Sequence, residues 1–165
     1  MKRWEKGFTL IEILVSLAIT GIIIVPLMMA TTTLLKNSDR PIDHSVALDQ
    51  VQNAGHWISR DVMMAKTVTP GDPNGFPLTL VIPVDYDENN DYSIDYLFDG
   101  NKLKRRVYDS GDNLTSETFI ADYIDTDNTT FSALGSGLYK LTIKAAKGEA
   151  AVTGGYEVNQ RPSPG

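Results

Sequence analysis

Residues 8–35 read FTLIEILVSLAITGIIIVPLMMATTTLL, and Glu12 is the only charged side chain among them. A helix that crosses the hydrocarbon core of a bilayer needs about 20 mostly apolar residues, each rising 1.5 Å. The stretch from Phe8 to Met29 meets that length on its own. A cleaved secretory signal has an apolar core of about 7–15 residues and ends at a small-residue site. This run is longer and no A-x-A-like site follows it, so it reads as an anchor. Lys2, Arg3 and Lys6 precede it closely against Glu5 alone, while Lys36 and Arg40 follow with Asp39 between them. The positive-inside rule then predicts a single-pass protein of the inner (cytoplasmic) membrane, N-terminus in the cytoplasm and C-terminal part outside.

Glu12 sets a problem. A carboxylate within hydrocarbon costs roughly 2.5–3.5 kcal/mol on insertion scales, which makes an intramembrane acid a functional signal by default. It can reach the interface from the start of the helix, or it can pair with a cation at similar depth. The run contains no Lys, Arg or His. A free α-amino group would serve, were the chain cut just ahead of Phe8.

The string Gly7-Phe8-Thr9-Leu10-Ile11-Glu12, continued by Ile13-Leu14-Val15-Ser16-Leu17-Ala18-Ile19, resembles the prepilin peptidase site of type IV pilins and type II secretion pseudopilins. That family has a short basic leader ending in Gly, then an aromatic residue, then Glu five positions into the mature chain. The resemblance implies a leader at residues 1–7, cleavage between Gly7 and Phe8 by prepilin peptidase, and methylation of the new Phe8 amine. It also implies that Glu12 neutralises the Phe8 amine of a neighbouring subunit during assembly, after residence in the inner membrane. An ammonium and a carboxylate attract far more strongly in a low dielectric than in water. Gly7 suits an enzyme that must approach the backbone closely. Pro26 removes one helical hydrogen bond and is expected to kink or open the segment; family members often carry helix breakers there. Ser16, Thr20 and Gly21 are small enough to let helices approach, or are fillers that lipid tolerates.

The chain of 165 residues has room for one domain with a modest core beyond the anchor. Its 15 basic and 21 acidic residues give a net charge of −6, and without the leader's Lys2, Arg3, Glu5 and Lys6 the balance is 12 against 20. Such an acidic body repels phosphate backbones, so nucleic acid is an unlikely main partner. With no cysteine, a disulfide framework, a thiolate metal site and a Cys nucleophile are excluded.

Lys36-Asn37-Ser38-Asp39-Arg40-Pro41 is a polar interruption, where Ser38 or Asp39 can cap a restarting helix with Pro41 in its first turn. From Asp43 to Lys66, Ala47, Val51, Ala54, Ile58, Val62 and Ala65 recur at spacings of three and four, the mark of an amphipathic helix. Strands are expected over Leu78–Val84, Tyr92–Phe98, Lys102–Tyr108, Thr118–Ile124, Leu138–Ala145 and Gly155–Asn159, with Asp99-Gly100 turning a hairpin. The fold class is therefore α+β, a long N-terminal helix packed on a mainly antiparallel sheet. Residues 8–35 form the transmembrane, filament-core helix and residues 36–165 an extracytoplasmic head. A looser resemblance to minor pilins and J-type pseudopilins rests on Arg60-Asp61, on Tyr96 followed by Leu103-Lys104-Arg105, and on Tyr156-Glu157-Val158-Asn159. The paired C-terminal cysteines of many major pilins are absent, which agrees with that resemblance.

Asp85, Asp87, Asn89 and Asp91 occupy positions one, three, five and seven of an EF-hand-like calcium loop. Position twelve is Tyr96 where the loop needs Glu, and a solvated acidic hairpin is the competing reading. His44 and His56 fall about 120° apart on a helix and read as ordinary helix residues. Lys102, Lys104 and Arg106 alternate opposite Arg105 and read as a solvated strand face rather than a DNA-binding patch. Asn113-Leu114-Thr115 and Asn128-Thr129-Thr130 fit the glycosylation sequon by chance in a chain of this kind. No Ser-His-Asp set, glycine-rich phosphate loop or paired acids stands out, which points away from an enzyme. Two functions remain: a filament subunit that assembles with other pilins or pseudopilins, or a single-pass anchored extracellular binding domain whose acidic loop captures calcium or a ligand.

Overall fold

The computed structural model describes residues 9–84 and 90–161, with only the backbone described at 35–39. It divides into two compact units, Met1–Pro41 and Ile42–Gly165. Helix α1 runs Leu10–Met64, 55 residues, with Pro26 and Pro41 inside it. The restart expected near Pro41 is absent. Proline gives up one backbone hydrogen bond, but its φ near −65° is the helix's own value, so the turns on either side continue.

Within the second unit, the predicted face of α1 is the buried one: Ala47, Val51, Ala54, Ile58, Val62 and Ala65 are each at most 2 % exposed. Two antiparallel sheets supply the rest of the core. The first holds β1 (Thr67–Gly71), β2 (Gly75–Ile82), β3 (Tyr92–Asp99), β4 (Lys102–Tyr108) and β5 (Leu114–Ala121) in that order. The second holds β6 (Thr130–Gly135), β7 (Leu138–Lys147) and β8 (Ala150–Asn159). The α+β class with a mainly antiparallel sheet is thus the observed one.

Alternation explains which side chains face inward. Leu78, Leu80 and Ile82 of β2, Ile94 and Tyr96 of β3 and Leu103 of β4 are buried. On the opposite face Thr79, Asp95, Arg106 and Glu117 stand in register across four strands. The Thr79 hydroxyl donates to Asp95 at 2.7 Å, and Arg106 Nε donates to Glu117 at 2.6 Å. Gly100, at a positive φ of 59°, opens the two-residue turn between paired Asp99 and Lys102. Four strands depart from expectation, one of them β8, which begins at Ala150, five residues before the predicted Gly155. β5 begins four residues before the predicted Thr118, because its first six residues are exposed and carry no burial alternation. β1 and β6 were not anticipated: β1 contains Pro70 and Gly71, and β6 buries only Phe131 deeply.

Strand β8 closes on α1 through glycines. The Tyr156 hydroxyl donates to the Val51 carbonyl at 3.1 Å. A Cβ at Gly55 would collide with the Tyr156 ring, and one at Gly154 would stand 2.5 Å from a Val51 methyl. Beyond the helix, the Gln160 amide donates to the carbonyls of Ala65 at 3.0 Å and Lys66 at 2.7 Å, where the chain leaves α1. Gly55→Ala should therefore lower the unfolding free energy by a net of about 1–2 kcal/mol, since overpacking outweighs the gain in helix propensity. Gly155→Ala, where a Cβ meets nothing within 4 Å, should leave the denaturation midpoint nearly unchanged.

Candidate functional site

In the first unit, α1 opens on a reciprocal cap. The Glu12 N–H donates to Thr9 Oγ1 at 3.4 Å, while Glu12 Oε2 accepts the Thr9 N–H at 3.2 Å and the Thr9 hydroxyl at 3.1 Å. This is a capping box, in which a Thr and a Glu three residues on satisfy each other's backbone donors. Its signature, Thr9-x-x-Glu12, is plain in the sequence, yet the search for a cation alone passed over it. A carboxylate in the first turn is also favoured by the positive end of the helix dipole.

The hydroxyls that follow are turned inward. Ser16 donates to the Glu12 carbonyl and Thr20 to that of Ser16, both at 2.7 Å. Thr31, Thr32 and Thr33 donate in the same way to the carbonyls of Leu27, Met28 and Met29. Each hydroxyl so bonded presents no unmet donor to hydrocarbon, where an unsatisfied polar group costs several kcal/mol. The segment Leu10–Leu34 is long and apolar enough to cross a membrane, and none of it is buried within the protein. Ile13, Ser16, Leu17, Thr20, Gly21 and Ile24 line a shallow groove along it. Gly7 and Phe8 lie outside the described residues.

The second unit holds a buried charge. Asp61, fully buried, accepts the Tyr96 hydroxyl at 2.6 Å and Arg105 Nε at 2.7 Å on the same oxygen, Oδ2. Its other oxygen, Oδ1, is buried without a hydrogen-bond partner among the described residues. Burial, followed by the neighbouring carboxylate, raises the Tyr96 hydroxyl pKa far above the ordinary tyrosine value. Burial opposes the charge of Arg105, and the bonds to Asp61 more than offset it, so its pKa is raised. Asp61, Tyr96 and Arg105 come from three parts of the looser sequence pattern, and the fold joins them.

The basic residues of β4 divide between its faces as alternation requires. Lys102 pairs with Asp122 at 3.0 Å, Lys104 with Asp99 at 2.8 Å, and Arg106 with Glu117, while Arg105 turns inward. Three of the calcium candidates, Asp85, Asp87 and Asn89, lie outside the described residues. The fourth, Asp91, lies 3.5 Å from the Lys66 ammonium. Among the described residues no group of three or more His, Cys, Asp or Glu side chains could hold a metal ion. His44 and His56 are both exposed. The sequon residues Asn113 and Asn128 donate their side-chain amides to Asp109 and Asp125, which places them in turn-forming contacts.

Residues 5–28 match the prokaryotic N-terminal methylation motif. That match supports the resemblance of the N-terminal segment to those of type IV pilins and pseudopilins. No curated protein and no solved structure matches the chain.

Asp61→Ala leaves the Tyr96 hydroxyl and the Arg105 guanidinium without their acceptor, and should cost about 3–5 kcal/mol in chemical denaturation. Tyr96 gives a pH signature of its own. Its pKa is raised on folding, so its contribution is complete below the ordinary value of 10.0 and is lost as pH rises above it. Stability should fall above about pH 10, and Tyr96→Phe should flatten that fall while lowering stability at neutral pH.

Proposed function

We propose that this chain is a structural subunit of a type IV pilus or type II secretion pseudopilus, made as a precursor and assembled through α1. Prepilin peptidase cuts between Gly7 and Phe8 and methylates the Phe8 amine. The head is extracytoplasmic, as the basic leader requires. The carrying observation is a methylation motif over residues 5–28 on an apolar helix with one acid and no cation. In the filament, Glu12 meets the Phe8 amine of a neighbouring subunit, an attraction strengthened by the low dielectric. Until then its carboxylate is held by Thr9, which lessens the penalty of carrying an acid into the bilayer.

The contact of Asp61 with Tyr96 and Arg105 supports the narrower reading of a minor subunit, because the loosely matching residues converge on one buried charge. An anchored calcium-binding domain has less support, since Asp91 already faces Lys66. Unchanged thermal stability on calcium removal would set that alternative aside.

Mass spectrometry of the membrane-extracted protein should show residues 1–7 absent and a methyl group on Phe8; an intact leader on mature protein would sink the proposal. Glu12→Gln keeps size but not charge, and should insert normally yet enter filaments poorly. Undiminished incorporation would remove Glu12 from assembly.

A further inference from the structure

We propose that the face of α1 carrying half-buried Trp57 and exposed Arg60, Met63 and Met64 docks on a second copy of this chain, with a carboxylate of that copy seated on Arg60. This rests on the filament reading and names one of its contacts. The residues lie three, six and seven positions after Trp57, which places them along one side of the helix, away from Ile58 and Val62. Met63 is 48 % exposed and Met64 39 %, both large apolar side chains left open to water. Aromatic residues, Met and Arg are the side chains enriched in protein contacts, and Trp and Arg dominate their binding energy.

The charge pattern identifies the partner. The Trp57 indole lies between two guanidiniums, Arg105 at 5.2 Å and Arg60 at 5.5 Å from the ring centre. Arg105 is already matched by Asp61. Arg60, like Lys140 and Arg161, has no ion pair among the described residues, and of these three only Arg60 is seated on an aromatic ring, whereas Lys66, Lys102, Lys104, Arg106, Lys144 and Lys147 are each paired. Resting on the indole, its guanidinium is held in place before any partner arrives, which reduces the entropy lost on binding. Without the leader each copy carries 12 basic and 20 acidic residues, a net charge of −8, so two copies repel unless a cation of one meets an acid of the other. The same chain exposes Asp72, Asp112 and Asp127 with no ion pair among the described residues. An arginine patch on one copy against a carboxylate elsewhere on the next is a head-to-tail contact, which repeats without closing.

The experiment uses the full chain in membranes of a host with a prepilin peptidase, as two differently tagged copies. A photo-cross-linking residue replaces the exposed His56 beside the stack. The expected product joins the two tags and maps by mass spectrometry to a peptide containing Asp or Glu. Arg60→Glu should lower its yield about tenfold, a change of 1.4 kcal/mol, with the head's protease resistance unchanged. Reversing the mapped acid to Arg in the other copy should restore it. Equal yields from wild type and Arg60→Glu, products joined only to other proteins, or a mapped peptide without an acid would each overturn the inference. Leader retention is read from the same spectra: an Arg60-dependent product on uncleaved chains would refute the filament reading and still support the contact. Cleaved, assembled chains without the product would refute the contact alone.

Discussion

A carboxylate with no access to water holds the head's helix to its larger sheet. Asp61 sits on the buried side of α1, and among the described residues the donors that reach it stand on β3 and β4. A buried ion pair is poor evidence of net stability, because desolvation takes back much of what attraction gives. Its effect is on geometry: any rotation or sliding of the helix would leave a buried charge bare. The apolar residues around it, from Ala47 to Ala65, tolerate small shifts with graded losses, whereas this contact does not. The inward turn of Arg105 follows from the register that sends Lys104 and Arg106 outward to acids on the other face.

The anchor obeys a different constraint. Its hydroxyls are spent on its own backbone and its one acid is received by Thr9, so the segment offers a bilayer almost nothing polar. The same economy leaves the helix ready to exchange lipid for other apolar helices, since neither environment demands a new hydrogen bond.

Much of this was legible in residue order. The 3.6-residue period from Ala47 to Val62 named the buried apolar side chains of α1, and alternation located β2, β3, β4 and β7 to within a few residues. Where the reading failed, the signal it used was missing. β5 is exposed over most of its length, so hydrophobicity could not mark its start. β1 carries Pro70 and Gly71, residues that ordinarily end strands, and pairs as a short edge. At the candidate site, the acid at position 12 was evident and its Thr9 partner was overlooked. Asp61 could be noted beside Arg60 but not seen as buried, because its partners stand 35 and 44 residues further along.

The junction of β8 with α1 also bears on how the head comes to exist. Tyr156 fills the space left by Gly55, and the Gln160 amide donates to the carbonyls just past the helix end. These partners are about a hundred residues apart in the chain. During synthesis from the N-terminus, the helix emerges long before the strand that covers it. Its apolar face must wait, either unfolded or sheltered by membrane or chaperone, until the last strand arrives. Completion of the head is thereby timed by the emergence of its C-terminal strand, and a nascent chain stopped short of β8 would present an open core.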